Sequence, residues 1–257
     1  MGEQTAKQNA ETLSFGFREV AENEKQKLVN EVFSQVAARY DQMNDLMSGG
    51  LHRLWKDDFV AALHVPKNTP FHVLDVAGGT GDIAFRILKR GGAQTRVSLA
   101  DISFDMLAEG RRRAMGESDP ARLDFTTANA EALPFPSNTF DAVTIAFGIR
   151  NVPHIDVALR EMHRVLKPGR RFQCLEFSQL AIPGLERLYD AYSFTVIPAV
   201  GKVVTGDGGP YRYLVESIRR FPTQEAFLGM IRDAGFERAG YRNMSGGVVA
   251  MHWGWKI

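Results

Sequence analysis

Cysteine is nearly missing from this chain: Cys174 is the only one in 257 residues. A single thiol can form neither an internal disulfide nor a cysteine-based zinc site, and such sparing use suits a reducing compartment. An excess of either charge is also missing. Lysine and arginine number 31 against 30 aspartate and glutamate, for a net charge of +1. Wholesale wrapping of nucleic acid needs a clearly basic domain, so no nucleic-acid partner is expected. Long apolar runs are lacking too. The most apolar late stretch, Phe194 to Val204, is interrupted by Pro198, Gly201 and Lys202, well short of the roughly 20 residues that span a bilayer. The opening MGEQTAKQNAET has neither the apolar core of a signal peptide nor an arginine-rich transit pattern. The expectation is a soluble, cytoplasmic protein.

What is present is ordinary for a globular protein: 44% hydrophobic and 24% charged residues, which excludes a disordered or fibrous chain. At roughly 150 residues per domain, the length allows one large domain or two small ones. Residues 1–14 read as a disordered polar tail and 15–66 as a helical N-terminal extension. Within the extension Leu28, Val29, Val32, Phe33 and Val36 recur at helical spacing from Lys25 to Arg39, and Leu51 to Leu63 resumes that spacing. Residues 67–179 alternate strand and helix. Phe71-His-Val-Leu-Asp-Val-Ala, Arg96 to Asp101, Leu123 to Ala128, Phe140 to Phe147 and Arg171 to Phe177 read as strands. Helices are predicted at Gly81–Lys89, Phe104–Met115 and Ile155–Leu166, with Lys167-Pro-Gly as a turn. Such alternation implies an α/β fold with a mainly parallel sheet covered on both faces. Residues 180–222 read as a mainly helical insertion. Residues 223–257 read as a helix, Thr223 to Ala234, and a closing antiparallel hairpin, Glu237 to Asn243 with Gly247 to Trp253.

Three stretches carry candidate chemistry. Leu74-Asp-Val-Ala-Gly-Gly-Thr-Gly-Asp82 lies between the first strand and first helix. Gly79-x-Gly81-x-x-Ala84 fits the fingerprint in which glycines let the backbone approach a ligand at a helix N-terminus. Asp101 closes the second strand about 20 residues after Gly81, where a carboxylate accepts hydrogen bonds from ribose hydroxyls. A plain turn and an exposed acid would use the same residues. In the second stretch, Ala128 to Asp141, Asn129 beside small Ala130 suits an adenine edge, and an ordinary proline-fixed loop equally. The third, Phe147-Gly-Ile-Arg-Asn-Val-Pro-His154, lies at the carboxyl end of the fourth strand, where open parallel sheets bind ligands. Arg150 and Asn151 could face a substrate there, or be a surface arginine and a helix cap. His154 is kept as a candidate proton acceptor.

The glycine loop, Asp101, ANAEALPFP, FGIRN and the LKPG turn together resemble a class I S-adenosylmethionine methyltransferase. More narrowly, the chain resembles the UbiE family of ubiquinone and menaquinone biosynthesis C-methyltransferases. The likeness runs from Phe15 to Lys256 and includes Phe15-Gly-Phe, Arg39 to Ser48 (RYDQMNDLMS), His52-Arg-Leu-Trp-Lys56, Tyr213 to Ile218 (YLVESI), Arg220-Phe-Pro and Ser245-Gly-Gly. It implies a Rossmann-like class I methyltransferase fold. It also implies that Thr80, Asp101, Asn129 and Ala130, with Asp75, Gly79 and Gly81 of the loop, hold S-adenosylmethionine. Two residues depart from the family pattern at the site: Ala146 replaces a serine found in many relatives, and Ala77 the usual class I glycine. Trp253 stands where relatives often have serine.

The implied reaction is methylation of a ring carbon in a lipid-soluble polyprenyl quinol, a benzoquinol or demethylmenaquinol. It calls for alignment and electrostatic stabilisation and needs no metal. Arg150 and Asn151 are then the expected substrate-side pair. Tyr40 and Asp41, ending the N-terminal helix, would help close the site if that helix folds over the sheet's carboxyl edge. Leu188, Tyr189, Tyr192, Phe194, Val196 and Ile197 are core residues or the lining of a channel for the prenyl tail. Partners consistent with the resemblance are the inner-membrane surface, through peripheral contact, a quinone-biosynthesis complex and a second copy of the chain. A nicotinamide-dependent oxidoreductase would share the glycine loop and Asp101 but leave FGIRN and LKPG unexplained. A noncatalytic donor-binding scaffold is the third reading.

Overall fold

A computed structural model describes residues 12–21, 48–117, 120–179 and 209–257, together with residues 24, 25, 27–29, 31, 32 and 45. Its centre is a seven-stranded sheet in the order β5-β4-β3-β6-β7-β9-β8. The strands are β3 (Phe71–Val76), β4 (Thr95–Asp101), β5 (Leu123–Thr127), β6 (Phe140–Ala146), β7 (Leu166–Phe177), β8 (Glu237–Met244) and β9 (Val249–Lys256). Pairing is parallel from β5 through β7, while β9 runs antiparallel to both β7 and β8. The near-continuous apolar runs of β3 and β6 follow from burial on both faces. Val73 packs into one core with Phe59, Ile87 and Leu99, while Leu74 and Val76 pack into the other with Leu159, Met162 and Phe227. Chain order reverses between β3 and β6, and that switch leaves a crevice outside their carboxyl ends.

The helices flanking the sheet are Leu51–Ala62, Asp82–Arg90, Phe104–Glu117, Ile155–Val165, Gly209–Arg220 and Gln224–Asp233. Thr223 caps the last of these, its hydroxyl accepting from the Ala226 N–H. The predicted strand–helix rhythm of the core is therefore present, with a difference at Lys167-Pro-Gly. Strand β7 begins at Leu166, opposite Phe140, and the pairing resumes at Ala142 with Arg171 after a register shift. The expected turn is thus a bulge inside a longer strand.

The N-terminal extension needs a correction. It was expected to be helical from residue 15, after a disordered tail to residue 14. Instead β1 (Thr12–Phe15) and β2 (Arg18–Ala21) form an antiparallel hairpin turning at Gly16 and Phe17. The hairpin docks on Gly209–Arg220: Phe15 stacks on Tyr213 with ring centroids 4.3 Å apart, and the Phe17 N–H donates to Glu216 Oε2 at 3.1 Å. The described residues between 24 and 32 are helical, as the spacing predicts. Residues 26, 30 and 33–39 of the predicted Lys25–Arg39 helix, and residues 180–208 of the expected helical insertion, lie outside the described residues. Among the described residues no helix is long and apolar enough to cross a membrane.

Two sequence motifs far apart in the chain meet in space. Trp55 of HRLWK donates its indole N–H to Ser245 Oγ of SGG at 2.9 Å. Trp253 also gains an account. The Arg171 guanidinium lies 5.3 Å from its ring centroid, and Gly240 on the paired strand has no side chain where a Cβ would come within 2.9 Å of the indole.

Candidate active site

The crevice at the switch point is a cleft of ≈ 990 Å³, counting the part open to solvent. Its walls include the glycine loop, Asp75, Asp101, Asn129, Ala130, Ala146, Phe147 and Asn151. Val29 of the N-terminal helix and Lys56 of Leu51–Ala62 line it as well, so the extension does reach over the carboxyl edge of the sheet. Tyr40 and Asp41 lie outside the described residues, as do Leu188 to Ile197.

The loop after β3 owes its path to backbone few residues adopt. Gly79 has φ +56°, and its N–H donates to Asp101 Oδ2 at 2.8 Å, tying the loop to the end of β4. Ala77 also has a positive φ, +50°, which costs a residue with a Cβ roughly 1–2 kcal/mol. Its methyl is accommodated because residue 148 is glycine: a Cβ there would stand 2.6 Å from the Ala77 Cβ. Gly81 ends the loop as the N-cap of Asp82–Arg90, leaving that helix's first N–H groups toward the cleft.

Two carboxylates face this loop, Asp75 buried and Asp101 half-buried. Asp101 takes N–H bonds from Gly79 on Oδ2 and from Ser103 on Oδ1, both at 2.8 Å. Burial raises its pKa, and the N–H groups oppose that rise. Each oxygen still has a lone pair for a further donor. Asp75 is 1% exposed; Thr144 Oγ1 donates to its Oδ1 at 2.8 Å, while Oδ2 is buried with no partner among the described residues. Burial pushes its pKa up to about 7. An orphaned carboxylate oxygen on a cleft wall fits a ligand that brings a cation. Beside them, Lys56 Nζ donates to Asp82 Oδ2 at 2.7 Å and Arg86 Nε to Asp82 Oδ1 at 2.8 Å. Asp82 is held down at about 2: burial opposes this, and the two cations outweigh it.

Thr80 is buried, its hydroxyl accepting from Arg113 at 2.9 Å. Asn129 is exposed at the cleft rim, and its Oδ1 accepts the Glu131 N–H at 2.9 Å, fixing the turn that presents Ala130. These residues, with Gly79, Gly81, Asp75 and Asp101, are gathered around one cleft, although they come from the ends of β3, β4 and β5.

The FGIRN segment divides. Asn151 lines the cleft, and its Oδ1 accepts the Tyr213 hydroxyl at 2.9 Å. Burial pushes that hydroxyl up to about 12. Arg150 was expected to face the substrate beside Asn151; it is buried and is not among the residues that line the cleft. Its guanidinium donates to Glu176 Oε1 at 2.8 Å and to the Phe147 carbonyl, with the Phe177 ring centroid 5.7 Å away. Side-chain exposure is 2% for Arg150 and 1% for Glu176. Burial raises the Glu176 pKa, and Arg150 opposes that rise. His154 is half-buried beside the Ile155–Val165 helix; its backbone N–H donates to Glu131 at 2.8 Å, and its side chain is not among the cleft-lining groups. Sequence reasoning missed Glu176, Tyr213 and Lys56. The only signals were a glutamate ending an apolar strand and the Tyr and Lys of two family motifs. Among the described residues no cluster of three or more His, Cys, Asp or Glu side chains is arranged to hold a metal.

The family model described as the ubiE/COQ5 methyltransferase family matches residues 18–256. Two curated relatives, both named ubiquinone/menaquinone biosynthesis C-methyltransferase UbiE, span nearly the full length. That of Methylobacterium nodulans is 61% identical over 246 residues, 96% of this chain and 97% of its own. That of Rhizobium meliloti is 59% identical over 244 residues, 95% of each chain. Among solved structures, a SAM-dependent methyltransferase from Thermotoga maritima superposes with a TM-score of 0.61 at 18% identity, covering 88% of this chain and 99% of that one. The likeness to that structure is one of fold.

Proposed function

The chain belongs to the ubiE/COQ5 methyltransferase family, and on that footing we propose that it moves a methyl group from S-adenosylmethionine to a ring carbon of a quinone precursor. The acceptor class is a polyprenyl benzoquinol of the ubiquinone pathway, a demethylmenaquinol of the menaquinone pathway, or both. The observation that supports the reading is the switch-point cleft, whose lining brings the glycine loop, Asp101, Asn129 and Ala130 together with Asn151.

The residues fit the donor. Asp101 accepts the ribose hydroxyls on the lone pairs its two backbone bonds leave free. Asp75 Oδ2 accepts the ammonium of the methionyl group, gaining the partner it lacks. Asn129 and Ala130 border the adenine, and Gly79 and Gly81 let the backbone approach closely. Thr80 anchors the start of the Asp82–Arg90 helix through Arg113. When bound, the donor supplies an electrophilic methyl.

On the acceptor side, the Tyr213 hydroxyl occupies Asn151 Oδ1, which leaves the amide N–H groups of Asn151 to donate to the quinol oxygen. A donor aimed at that oxygen strengthens its interaction as phenolate character develops, and the neighbouring ring carbon becomes the nucleophile. Arg150 cannot be a base, since a guanidinium stays protonated. In this reading it is a positioning residue that locks the Phe147–Asn151 turn through Glu176, and its charge favours the nearby phenolate. One ring proton is released to water for each methyl gained. Tyr40 is proposed to close the same site. The prenyl tail enters from a membrane surface that the protein touches peripherally.

The test is stoichiometric. Purified protein supplied with S-adenosylmethionine and a reduced demethylated quinone should yield one S-adenosylhomocysteine per methylated quinol, read by mass spectrometry. No methylated product under conditions where a UbiE relative is active would leave only a donor-binding scaffold.

A further inference from the structure

Resting on the reading of the cleft as a donor site, we propose that Lys56 binds the carboxylate at the amino-acid end of S-adenosylmethionine. Lys56 belongs to the helix Leu51–Ala62, outside the strand–helix core that carries the glycine loop, yet its side chain is 4% exposed and lines the cleft. A buried ammonium needs anionic partners to offset its desolvation. Its partner, Asp82, is shared. Asp82 Oδ1 is already engaged by Arg86, which reaches on to Asp57. Asp82 therefore meets two cations with its two oxygens, one on each, and Lys56 spends only part of its hydrogen-bonding capacity on it.

An ammonium carries three N–H donors, and Asp82 takes one of them. The other two have no partner among the described residues and are open to a group in the cleft that Lys56 lines. The same cleft is lined by Asp75, whose Oδ2 is buried with no partner among the described residues. A cation and an anion set side by side match a zwitterion: the α-carboxylate on Lys56 and the α-ammonium on Asp75. No nucleoside end of a ligand has this pattern of charge. The consequence is that the N-terminal extension completes the donor site. It lets the protein distinguish a donor with an amino-acid tail from nucleosides that lack one.

Two ligands separate this role from a structural one. S-Adenosylhomocysteine carries the amino-acid end; 5′-methylthioadenosine keeps the nucleoside and sulfur but lacks it. Calorimetry on the full-length protein should show that Lys56→Met weakens S-adenosylhomocysteine about 10- to 100-fold, the loss expected for a hydrogen bond to a charged group. Affinity for 5′-methylthioadenosine should stay within about twofold. Lys56→Gln should behave likewise, and Lys56→Arg should regain part of the loss. Unchanged binding of both ligands, or equal weakening of both, would overturn the assignment; the second result would make Lys56 a packing residue between two helices. Wild-type protein that binds neither ligand would overturn the donor reading, and this inference with it.

Discussion

Replacing Glu176 with glutamine keeps its shape and removes its charge, and the structure sets the size of the response. Glu176 and Arg150 have side-chain exposures of 1% and 2%, and their contact is 2.8 Å. Glu176 also accepts the Phe177 N–H at 2.9 Å, a bond that a glutamine oxygen can retain. What it cannot retain is the anion. Arg150 would be left as a buried cation with the Phe147 carbonyl and the face of Phe177 as company. Breaking one side of a buried pair costs about 3–5 kcal/mol. At roughly 2–4 °C per kcal/mol for a domain of this size, the midpoint should fall by about 6–20 °C. Differential scanning calorimetry reads this directly. Converting the pair together, Arg150→Met with Glu176→Leu, should regain most of the loss, because an apolar pair of similar volume replaces two desolvated charges. A Glu176→Gln variant within about 1 kcal/mol of wild type in urea unfolding, or a double variant at the sum of its singles, would refute the buried-pair argument.

Asp101→Ala should weaken S-adenosylmethionine binding by about 10- to 150-fold, the equivalent of roughly 1.5–3 kcal/mol for hydrogen bonds to a charged group; unchanged affinity in calorimetry would remove Asp101 from the donor site. Asn151→Ala should lower kcat about 100- to 1,000-fold with little change in donor affinity, and a collapse of donor affinity would put Asn151 on the wrong ligand. Asp75 is raised to about 7 in the folded protein, so the folded state holds a proton that the unfolded state gives up near pH 4. Its burial therefore costs nothing below about pH 4, and the penalty grows as pH rises to about 7 and is complete above it. Asp75→Asn should raise the unfolding midpoint at pH 8 and leave it nearly unchanged at pH 4; equal midpoints at pH 8 would mean the carboxyl is solvated.

The sequence marked the site where neighbours in sequence are also neighbours in space. The glycine loop, Asp101 and FGIRN each close a strand of the parallel sheet, so strand–helix alternation alone brings them to one crevice. Residues that act through distant contacts were harder to see. Tyr213 reaches Asn151 across 62 positions and Trp55 reaches Ser245 across 190, and no local pattern encodes either pairing. Arg150 was readable as a charge near the cleft, but its direction depends on Glu176, which sits in a run otherwise read as buried strand. The hairpin Thr12–Ala21 was missed because TLSF and REVA are short and half polar. What stabilises them is docking on Tyr213 and Glu216, a tertiary contact that outweighs weak local propensity.

The central claim is methylation at carbon, and the fate of a labelled methyl tests it most directly. The protein would be supplied with S-adenosylmethionine carrying ¹³C in its methyl group and with reduced demethylmenaquinone, and the extracted product examined by ¹³C NMR. The account predicts one enriched signal at the shift of a methyl bonded to a quinone ring carbon. An enriched signal at the shift of an aryl methyl ether would contradict it, because the cleft would then be delivering the methyl to the quinol oxygen that Asn151 is proposed to hold.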